Sequence, residues 1–169
     1  MKYDRIYTRK GDTGMTTLWS GEQVEKSTNL IQLLAQLDII HSKIGLARAN
    51  AHQYITELIC ETVVEALISF MGKVASPSKE YIPDLQLDKL NTHMKDILAY
   101  HIKDREQVDW IRYGTTGIAS AYIDDACTHF RLVESLLYEA DLLSTPREKK
   151  FFNMVSKLLY LCARNEDVV

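Results

Sequence analysis

The stretch Thr145-Pro146-Arg147-Glu148 is the clearest helix start in this sequence. Threonine caps helix N-termini well, proline suits the first helical position, and a glutamate three residues after the cap completes a capping box. The helix that begins here is predicted to continue to about Arg164. The end of the chain is therefore predicted to be one long helix.

Four further helices are predicted upstream of this one, because apolar residues recur there at helical spacing. The chain has three prolines and seven glycines, which interrupt this spacing at few points. Ser27 or Thr28 is the candidate N-cap of the first helix. The expected spans are about 27–50, 53–75, 87–102 and 118–143. No alternating pattern is strong enough to predict a sheet, so the sequence predicts an all-α, five-helix antiparallel bundle.

The bulk composition fits one domain over residues 1–169, with an N-terminal segment at 1–26 and the bundle at 27–164. The formal net charge of −3 gives no overall nucleic-acid footprint. No segment approaches the roughly 20 apolar residues that a membrane span needs. Three widely spaced cysteines favour reduced thiols. We therefore expect a cytoplasmic protein without nucleic-acid or membrane partners.

The other polar residues predict neither a metal site nor a catalytic triad. The five histidines show no metal-ligand spacing. Glu22, Glu25 and the acidic pair Glu166-Asp167 are expected to be solvated charges.

The N-terminal segment carries two glycines three residues apart, with hydroxyl and basic residues around them. Glycine lets the backbone approach a ligand closely, and consecutive backbone N–H groups can surround an anion. A phosphate-binding loop is the functional interpretation; a polar segment with a Gly-Asp turn is the alternative. The segment reads Ile6-Tyr7-Thr8-Arg9-Lys10-Gly11-Asp12-Thr13-Gly14-Met15-Thr16-Thr17.

This segment resembles the nucleotide-binding N-terminus of the PduO-type ATP:cob(I)alamin adenosyltransferases, which reads Tyr-Thr-(Lys/Arg)-Thr-Gly-Asp-Lys-Gly-x-(Thr/Ser). The family lysine before the second glycine is Thr13 here, and we hypothesise that Lys10 partly replaces its charge. The resemblance implies binding of ATP, normally with Mg²⁺. The residues to which it assigns this role are Thr8, Arg9, Lys10, Gly11, Asp12, Thr13, Gly14 and Thr16.

A second resemblance falls on the first helix. Ala35, Asp38, Ser42 and Gly45 share one stripe, where small residues would let another helix come close. The segment Leu37–Gly45 resembles the family's Val-Asp-Glu-Leu-Asn-Ser-x-Ile-Gly. Because an isolated buried carboxylate is costly, a confined Asp38 would need a cationic partner. A buried pair is the favoured interpretation, and an exposed Asp38 is the alternative.

Arg131 on the fourth helix is the predicted partner of Asp38. Family members carry Ser-Ala-x-His-x-x-Arg-x-x-x-Arg-Arg-Ala-Glu-Arg in this region, and Arg131 aligns with the second arginine of the pair. In the family, these basic residues hold ATP and orient the subunit interface. The remaining family positions differ here, with Ile123, Phe130, Val133 and Glu134 in place of His, Arg, Glu and Arg.

Two more segments carry the resemblance. Trp110 begins a segment like the family's Phe-Ile-Leu-Pro-Gly-Gly, which implies that its ring lies under the corrin and excludes the lower cobalt ligand. An ordinary aromatic anchor is the alternative. Asn153 matches the family's nucleotide-binding asparagine, although Met154 replaces the arginine that follows it. Without the resemblance, Asn153 would be a polar position on an amphipathic helix.

The resemblance implies a homotrimer that transfers the 5′-deoxyadenosyl group of ATP to cob(I)alamin, with a reductase or a cobalamin-dependent enzyme as a possible partner. Two other functions remain open. The chain could bind nucleotide or corrinoid without transfer, as a carrier, sensor or partner protein, and the changed fourth helix favours this. It could also be a purely structural helical subunit.

Overall fold

The computed structural model describes residues 9, 11–76, 86–101 and 117–167. Within these residues five helices follow one another, which confirms the all-α prediction. They are α1 (Asn29–Asn50), α2 (Tyr54–Val74), α3 (Leu87–His101), α4 (Ile118–Glu139) and α5 (Pro146–Glu166).

The start of α5 is the predicted capping box. The Thr145 hydroxyl accepts a hydrogen bond from the Glu148 backbone N–H at 3.2 Å, and the Glu148 carboxylate accepts one from the Thr145 N–H at 2.9 Å. The buried Glu148 also pairs with Lys73 near the end of α2. The local cap is thus joined to a second helix by an ion pair.

The fourth helix ends earlier than predicted. Asp141 adopts a left-handed conformation with φ +54, and the Leu142 N–H bonds back to the Leu137 carbonyl at 3.0 Å. This is the pattern of a Schellman cap, in which one left-handed residue stops the helix. The helix therefore ends at Glu139, four residues before the predicted boundary.

A short hairpin contradicts the prediction that the chain has no sheet. Strand β1 (Met15–Thr17) pairs antiparallel with β2 (Gln23–Glu25), and Thr16 lies opposite Val24. Gly21 supplies the positive φ of +93 in the connecting turn. Strands of three residues are too short for alternation to be visible in the sequence.

The core is formed where the helices pack together. Phe70 of α2, Phe130 of α4 and Phe152 of α5 are fully buried. The ring of Phe152 lies 5.0 Å from that of Phe70 and 5.1 Å from that of Phe130, centroid to centroid. Such contacts add to the burial energy of each ring. Helix α4 packs mainly against α1 and α5, and α1 also packs against α2.

Helix α1 is more apolar than the sequence analysis allowed. By length and composition alone, this helix of 22 residues could cross a membrane. Leu37, Ile40 and Ile44 are fully buried against the rest of the bundle. Its packing against α2 and α4 identifies it as a helix of the bundle.

Candidate functional site

The glycine loop, defined as Gly11–Thr16, runs into β1 and shares Met15 and Thr16 with that strand. Two turns shape it: the Asp12 N–H bonds the Arg9 carbonyl at 3.1 Å, and the Gly14 N–H bonds the Gly11 carbonyl at 3.3 Å. Gly14 has φ +80, which a side chain would disfavour. Asp12 and Thr13 are exposed at the loop tip. The loop therefore presents the side chains of Asp12 and Thr13 to solvent, while the Asp12 and Gly14 N–H groups stabilise its turns.

Lys26 is a candidate site residue that the sequence analysis missed. Its ammonium donates to the Gly11 carbonyl at 2.7 Å, and its backbone N–H donates to the Gly14 carbonyl at 2.9 Å. A Cβ at position 11 would lie 2.7 Å from the Lys26 Nζ, so a side chain there would displace the flexible end of Lys26 from this position. The β1–β2 pairing brings Lys26 back to the loop. A prediction of the β1–β2 hairpin from the sequence would have placed Lys26 next to the loop.

Three predicted site residues, Thr8, Lys10 and Trp110, lie outside the described residues. Arg9 is described, is exposed, and has a left-handed φ of +56 at the start of the loop. The phosphate-binding interpretation thus rests on Arg9, the glycine loop and Lys26.

In the single chain Asp38 is exposed, so the favoured buried pair with Arg131 does not form within one subunit. The stripe that contains Ala35, Asp38, Ser42 and Gly45 is exposed, because α1 turns its larger apolar residues toward the core instead. Arg131 on α4 is exposed as well. Among the described residues no hydrogen bond or ion pair joins Asp38 to Arg131. Both residues remain available on the outer surface.

A polar patch on the outer side of α4 and α5 contains two predicted site residues. Arg131 and Asn153 are exposed, as is Lys157 one turn after Asn153. Glu134 on α4 lies near charges of both helices: burial raises the pKa of its carboxyl above its usual value, and the nearby charges of Arg131 and Lys157 oppose that rise. We call Arg131, Glu134, Asn153 and Lys157 the α4–α5 patch. Lys157 follows the predicted nucleotide-binding asparagine by one helical turn, and Arg131 stands near the same Glu134 as Lys157.

Two of the apparent losses of family arginines have a structural explanation. Phe130 is fully buried in the aromatic core, and Met154 is 6% exposed. An arginine at either position of this chain would point into the core and not toward a ligand. These two positions therefore say little about the chemistry of the surface. Thr13 and Glu134 are the differences that lie where a ligand could reach.

The expectation that the acidic pair at the end of α5 is solvated is wrong. Glu166 is 4% exposed, and its carboxylate accepts hydrogen bonds from the backbone N–H groups of His52 and Gln53 at 2.9 and 3.0 Å. It thus satisfies free N–H groups at the start of α2. Asp167 accepts hydrogen bonds from Ser120 at 2.7 Å and from Arg164 at 2.9 Å.

Asp124 and Arg164 form the buried ion pair of the described bundle. Asp124 is 6% exposed. Its carboxylate lies 2.7 Å from the Arg164 guanidinium. The Arg164 guanidinium also lies 5.1 Å from the Tyr160 ring centre. This pair has the confinement that the sequence analysis assigned to Asp38 and Arg131.

The chain combines a bundle of helices with a glycine loop on an N-terminal hairpin and with the α4–α5 patch. These features define a class of helical proteins that are candidates for nucleotide binding. The family model for cobalamin adenosyltransferase matches residues 6–166, and the chain belongs to that family.

Individual relatives agree with this assignment. The chain is 26% identical over 170 residues to a corrinoid adenosyltransferase PduO of Salmonella typhimurium, covering 96% of this chain and 49% of the relative. It is 26% identical over 172 residues to a corrinoid adenosyltransferase of Citrobacter freundii, covering 96% and 95%. The chain thus spans about half the length of the PduO relatives.

Solved structures show the same fold. A variant PduO-type ATP:corrinoid adenosyltransferase from Lactobacillus reuteri, complexed with cobalamin and ATP, superposes with a TM-score of 0.81 at 18% identity. The match covers 96% of this chain and 93% of that one. A further variant of the enzyme, complexed with ATP, gives a TM-score of 0.75 at 16% identity, covering 96% and 94%.

Proposed function

We propose that this chain transfers the 5′-deoxyadenosyl group of ATP to cob(I)alamin, giving adenosylcobalamin and triphosphate. The observation that carries the proposal is the glycine loop with the Lys26 ammonium held on its Gly11 carbonyl. Membership of the cobalamin adenosyltransferase family supports the reaction. The relatives' names, and the neighbour complexed with cobalamin and ATP, support the two substrates.

The chemistry requires a nucleophile, an aligned carbon and a stabilised leaving group. Co(I) attacks C5′ of ATP, the cobalt–carbon bond forms, and the C5′–O bond breaks with its electron pair on the triphosphate. Alignment and positive charge near the triphosphate supply most of the catalysis. Lys26 and Arg9 provide that charge in the described chain, and Lys10 is expected to add to it. Trp110 is the residue proposed to exclude the lower cobalt ligand.

Mg²⁺ is proposed to enter on the triphosphate. In residues 9, 11–76, 86–101 and 117–167 no three His, Cys, Asp or Glu side chains converge as a metal site. Protein-bound Mg²⁺ commonly uses one or two carboxylates together with phosphate oxygens and water. The exposed Asp12 carboxylate in the glycine loop fits that limited role. Co(I) itself must come from a reductant, so a reductase is the expected protein partner, and a cobalamin-dependent enzyme is the expected recipient.

We also propose a homotrimer in which Asp38 of one subunit pairs with Arg131 of another. Both residues are exposed in the single chain. Exposed apolar residues accompany them on the same helices: Ile39 is 40%, Leu46 is 48% and Leu132 is 51% exposed. Adjacent exposed apolar side chains commonly mark contact surfaces between proteins. A ring of subunits would cover these residues and supply the cation that Asp38 lacks among the described residues of its own subunit.

Binding without transfer is the second candidate function. Thr13 leaves the tip of the glycine loop without the positive charge of the family lysine, and Glu134 puts a carboxyl near Arg131 and Lys157. A carboxylate in this position repels a triphosphate. These two residues favour a chain that holds nucleotide or corrinoid but transfers slowly or not at all.

An anaerobic assay with chemically reduced cob(I)alamin and Mg-ATP tests the transferase proposal, with formation of adenosylcobalamin followed by absorbance. We expect ATP-dependent turnover. Lys26→Ala should raise the KM for ATP about tenfold, which corresponds to about 1.4 kcal/mol. Lys150→Ala, an exposed lysine in the first turns of α5, is the matched control. Nucleotide binding without turnover would favour the second candidate.

Sedimentation equilibrium tests the subunit arrangement. Leu46→Asp should shift the trimer toward monomer, because it places a charge beside the exposed apolar side chains of α1, such as Ile39. Arg131→Ala should weaken both assembly and ATP binding, since the Asp38 carboxylate would then be left without its cation. A trimer of unchanged stability in both variants would contradict the proposed interface.

A further inference from the structure

A histidine lies where α1 and α4 meet, next to the surface that the proposed trimer would cover. Asp125 and His129 stand one turn apart on α4 and therefore share a face of that helix. Lys43 of α1 donates to both carboxylate oxygens of Asp125 at 2.6 Å, so this face meets α1. We call these three residues the α1–α4 seam. Arg131 and Leu132, which follow closely on α4, are exposed and belong to the proposed subunit contact.

The surroundings of His129 suit a neutral ring better than a protonated one. The Nε2 atom is buried and has no hydrogen-bond partner among the described residues. A protonated imidazole carries an N–H on both nitrogens, so Nε2 would become a buried donor without an acceptor. Burial lowers the pKa of the ring below its usual value, and the Lys43 cation lowers it further, while Asp125 and the Gln36 backbone oppose the shift. A charge on this ring is therefore costly.

Other titratable groups of α1 and α4 lie on different sides of these helices. Arg48 lies near two glutamates of α2, and His41, two turns before Arg48, shares that side of α1. Asp124 pairs with Arg164 of α5 and not with α1. Among the described residues, the charges that act on His129 are thus the two of the α1–α4 seam.

We propose that His129 makes assembly of the trimer depend on pH, with the protonated ring favouring separate subunits. A second copy packed over the outer surface of α1 and α4 buries the α1–α4 seam further and raises the cost of a charge there. The separate chain then binds a proton more readily than the trimer does, so acid favours separation. The inference rests on the proposed function, since it assumes the subunit arrangement described above.

The direction of the effect follows from the lowered pKa. The trimer keeps its full stability above the pKa that the ring has in the separate chain, and it loses stability as pH falls through that value. Because burial and Lys43 already hold this pKa below the usual value of about 6.5, the loss is expected below about pH 6.5. Three rings titrate in each trimer, so a small change per subunit is multiplied.

Sedimentation equilibrium of the full chain at about pH 7.5 and about pH 5.5 tests the inference. We expect the dissociation constant of the wild-type trimer to rise about tenfold at the lower pH, roughly a factor of two for each ring. His129→Gln keeps a neutral polar side chain and should remove most of this rise. His93→Gln is the matched control and should keep it, because burial also lowers the pKa of His93, but that residue lies on α3.

NMR titration of the ring protons gives a second measurement that does not require the His129→Gln variant to fold. The comparison is between wild type and Gly45→Trp. No atom lies within 4 Å of a Cβ at this exposed position of α1, so the larger side chain fits the single chain. It would block a second copy without adding a charge. We expect the pKa of His129 to be lower in the wild-type trimer than in this variant.

The outcomes separate the inference from the proposed subunit arrangement. A wild-type trimer with the same dissociation constant at both pH values would overturn the inference alone. A rise that persists in His129→Gln would assign the pH dependence to another group, such as His41 or Glu134, and overturn it as well. Equal pKa values of His129 in the trimer and in Gly45→Trp would do the same. A wild-type chain that is monomeric at about pH 7.5 would overturn the proposed trimer and the inference together.

Discussion

The two ends of α5 are both held by buried acidic residues, but the residues come from different distances along the chain. At the start, Glu148 bonds Thr145 three residues away and pairs with Lys73. At the end, Arg164 pairs with Asp124, and Glu166 caps the start of α2. The arrangement at the start of α5 includes a capping box, whose residues are close together in the sequence. The second depends throughout on contacts between helices.

This difference predicts where stability is concentrated. A local cap contributes about 1 kcal/mol, because water and nearby groups can take over its hydrogen bonds. A buried ion pair between helices leaves an uncompensated charge when one partner is removed. Mutations at the end of α5 should therefore cost more than mutations at its start.

The largest effect is expected for Arg164→Met. The side chains of Arg164 and Asp124 are 11% and 9% exposed, so the change leaves the Asp124 carboxylate buried without its cation. We expect a loss of about 3 kcal/mol in the free energy of unfolding, measured by urea denaturation at fixed protein concentration. The double variant Arg164→Met/Asp124→Leu should regain most of that loss. If Arg164→Met lowers the free energy of unfolding by less than about 1 kcal/mol, the contrast between the two ends of α5 does not hold.

Glu166→Gln should have the next largest effect. The amide keeps one acceptor oxygen for the backbone N–H groups of His52 and Gln53, but it loses the negative charge at the start of α2. Charge-assisted hydrogen bonds are the stronger kind, and a helix N-terminus favours an anion. We expect a loss of about 1–2 kcal/mol in urea denaturation. Amide exchange in the first turn of α2 should accelerate, whereas exchange in the first turn of α5 should not.

The sequence predicted much of the fold because helices depend on local signals. Four of the five spans agree with the structure within about two residues at each end, as is usual for helix boundaries. The end of α4 was missed because Asp141 stops the helix in a left-handed conformation that aspartate adopts only sometimes. The hairpin was missed because each strand has three residues.

The candidate site was predictable only where a motif is contiguous. Family resemblance located Gly11 and Gly14, but Lys26 reaches them through strand pairing across 15 residues. Asp38 was placed inward because small residues allow close packing, whereas α1 places Leu37 and Ile40 inward. Asp124 and Arg164 lie 40 residues apart, so neither residue identifies the other in the sequence. Only the packing of α4 on α5 brings them together.

A pH dependence should distinguish Glu148 from an exposed carboxylate. Burial would raise the pKa of its carboxyl, but hydrogen bonds from Lys73 and Thr145 outweigh that effect and hold the pKa below its usual range. A lowered pKa in the folded state stabilises the protein above the unfolded-state pKa of about 4.3, and this contribution is lost as pH falls through the folded value. Glu148→Gln should therefore cost about 1–2 kcal/mol at pH 7 and progressively less below about pH 4.

The control for this pH series is Glu57→Gln, since the Glu57 carboxylate is 48% exposed and lies 3.7 Å from Arg48. An exposed pair of this kind contributes about 0.5 kcal/mol or less. Urea midpoints of wild type and both variants between pH 3 and pH 8 provide the comparison. A Glu148→Gln cost that stays constant down to pH 3 would show that packing, and not the charge, sets it.

The smallest effect is expected for the capping threonine, and the chain contains its own control. Thr145 accepts a hydrogen bond from the Glu148 N–H, whereas Thr28 stands at the N-cap of α1 without a side-chain cap hydrogen bond. Thr145→Ala should cost about 1 kcal/mol of unfolding free energy, and Thr28→Ala distinctly less. Equal losses would show that threonine stabilises both positions through backbone conformation. A larger loss at Thr145 would show that the capping hydrogen bond itself contributes, as a local signal readable in the sequence should.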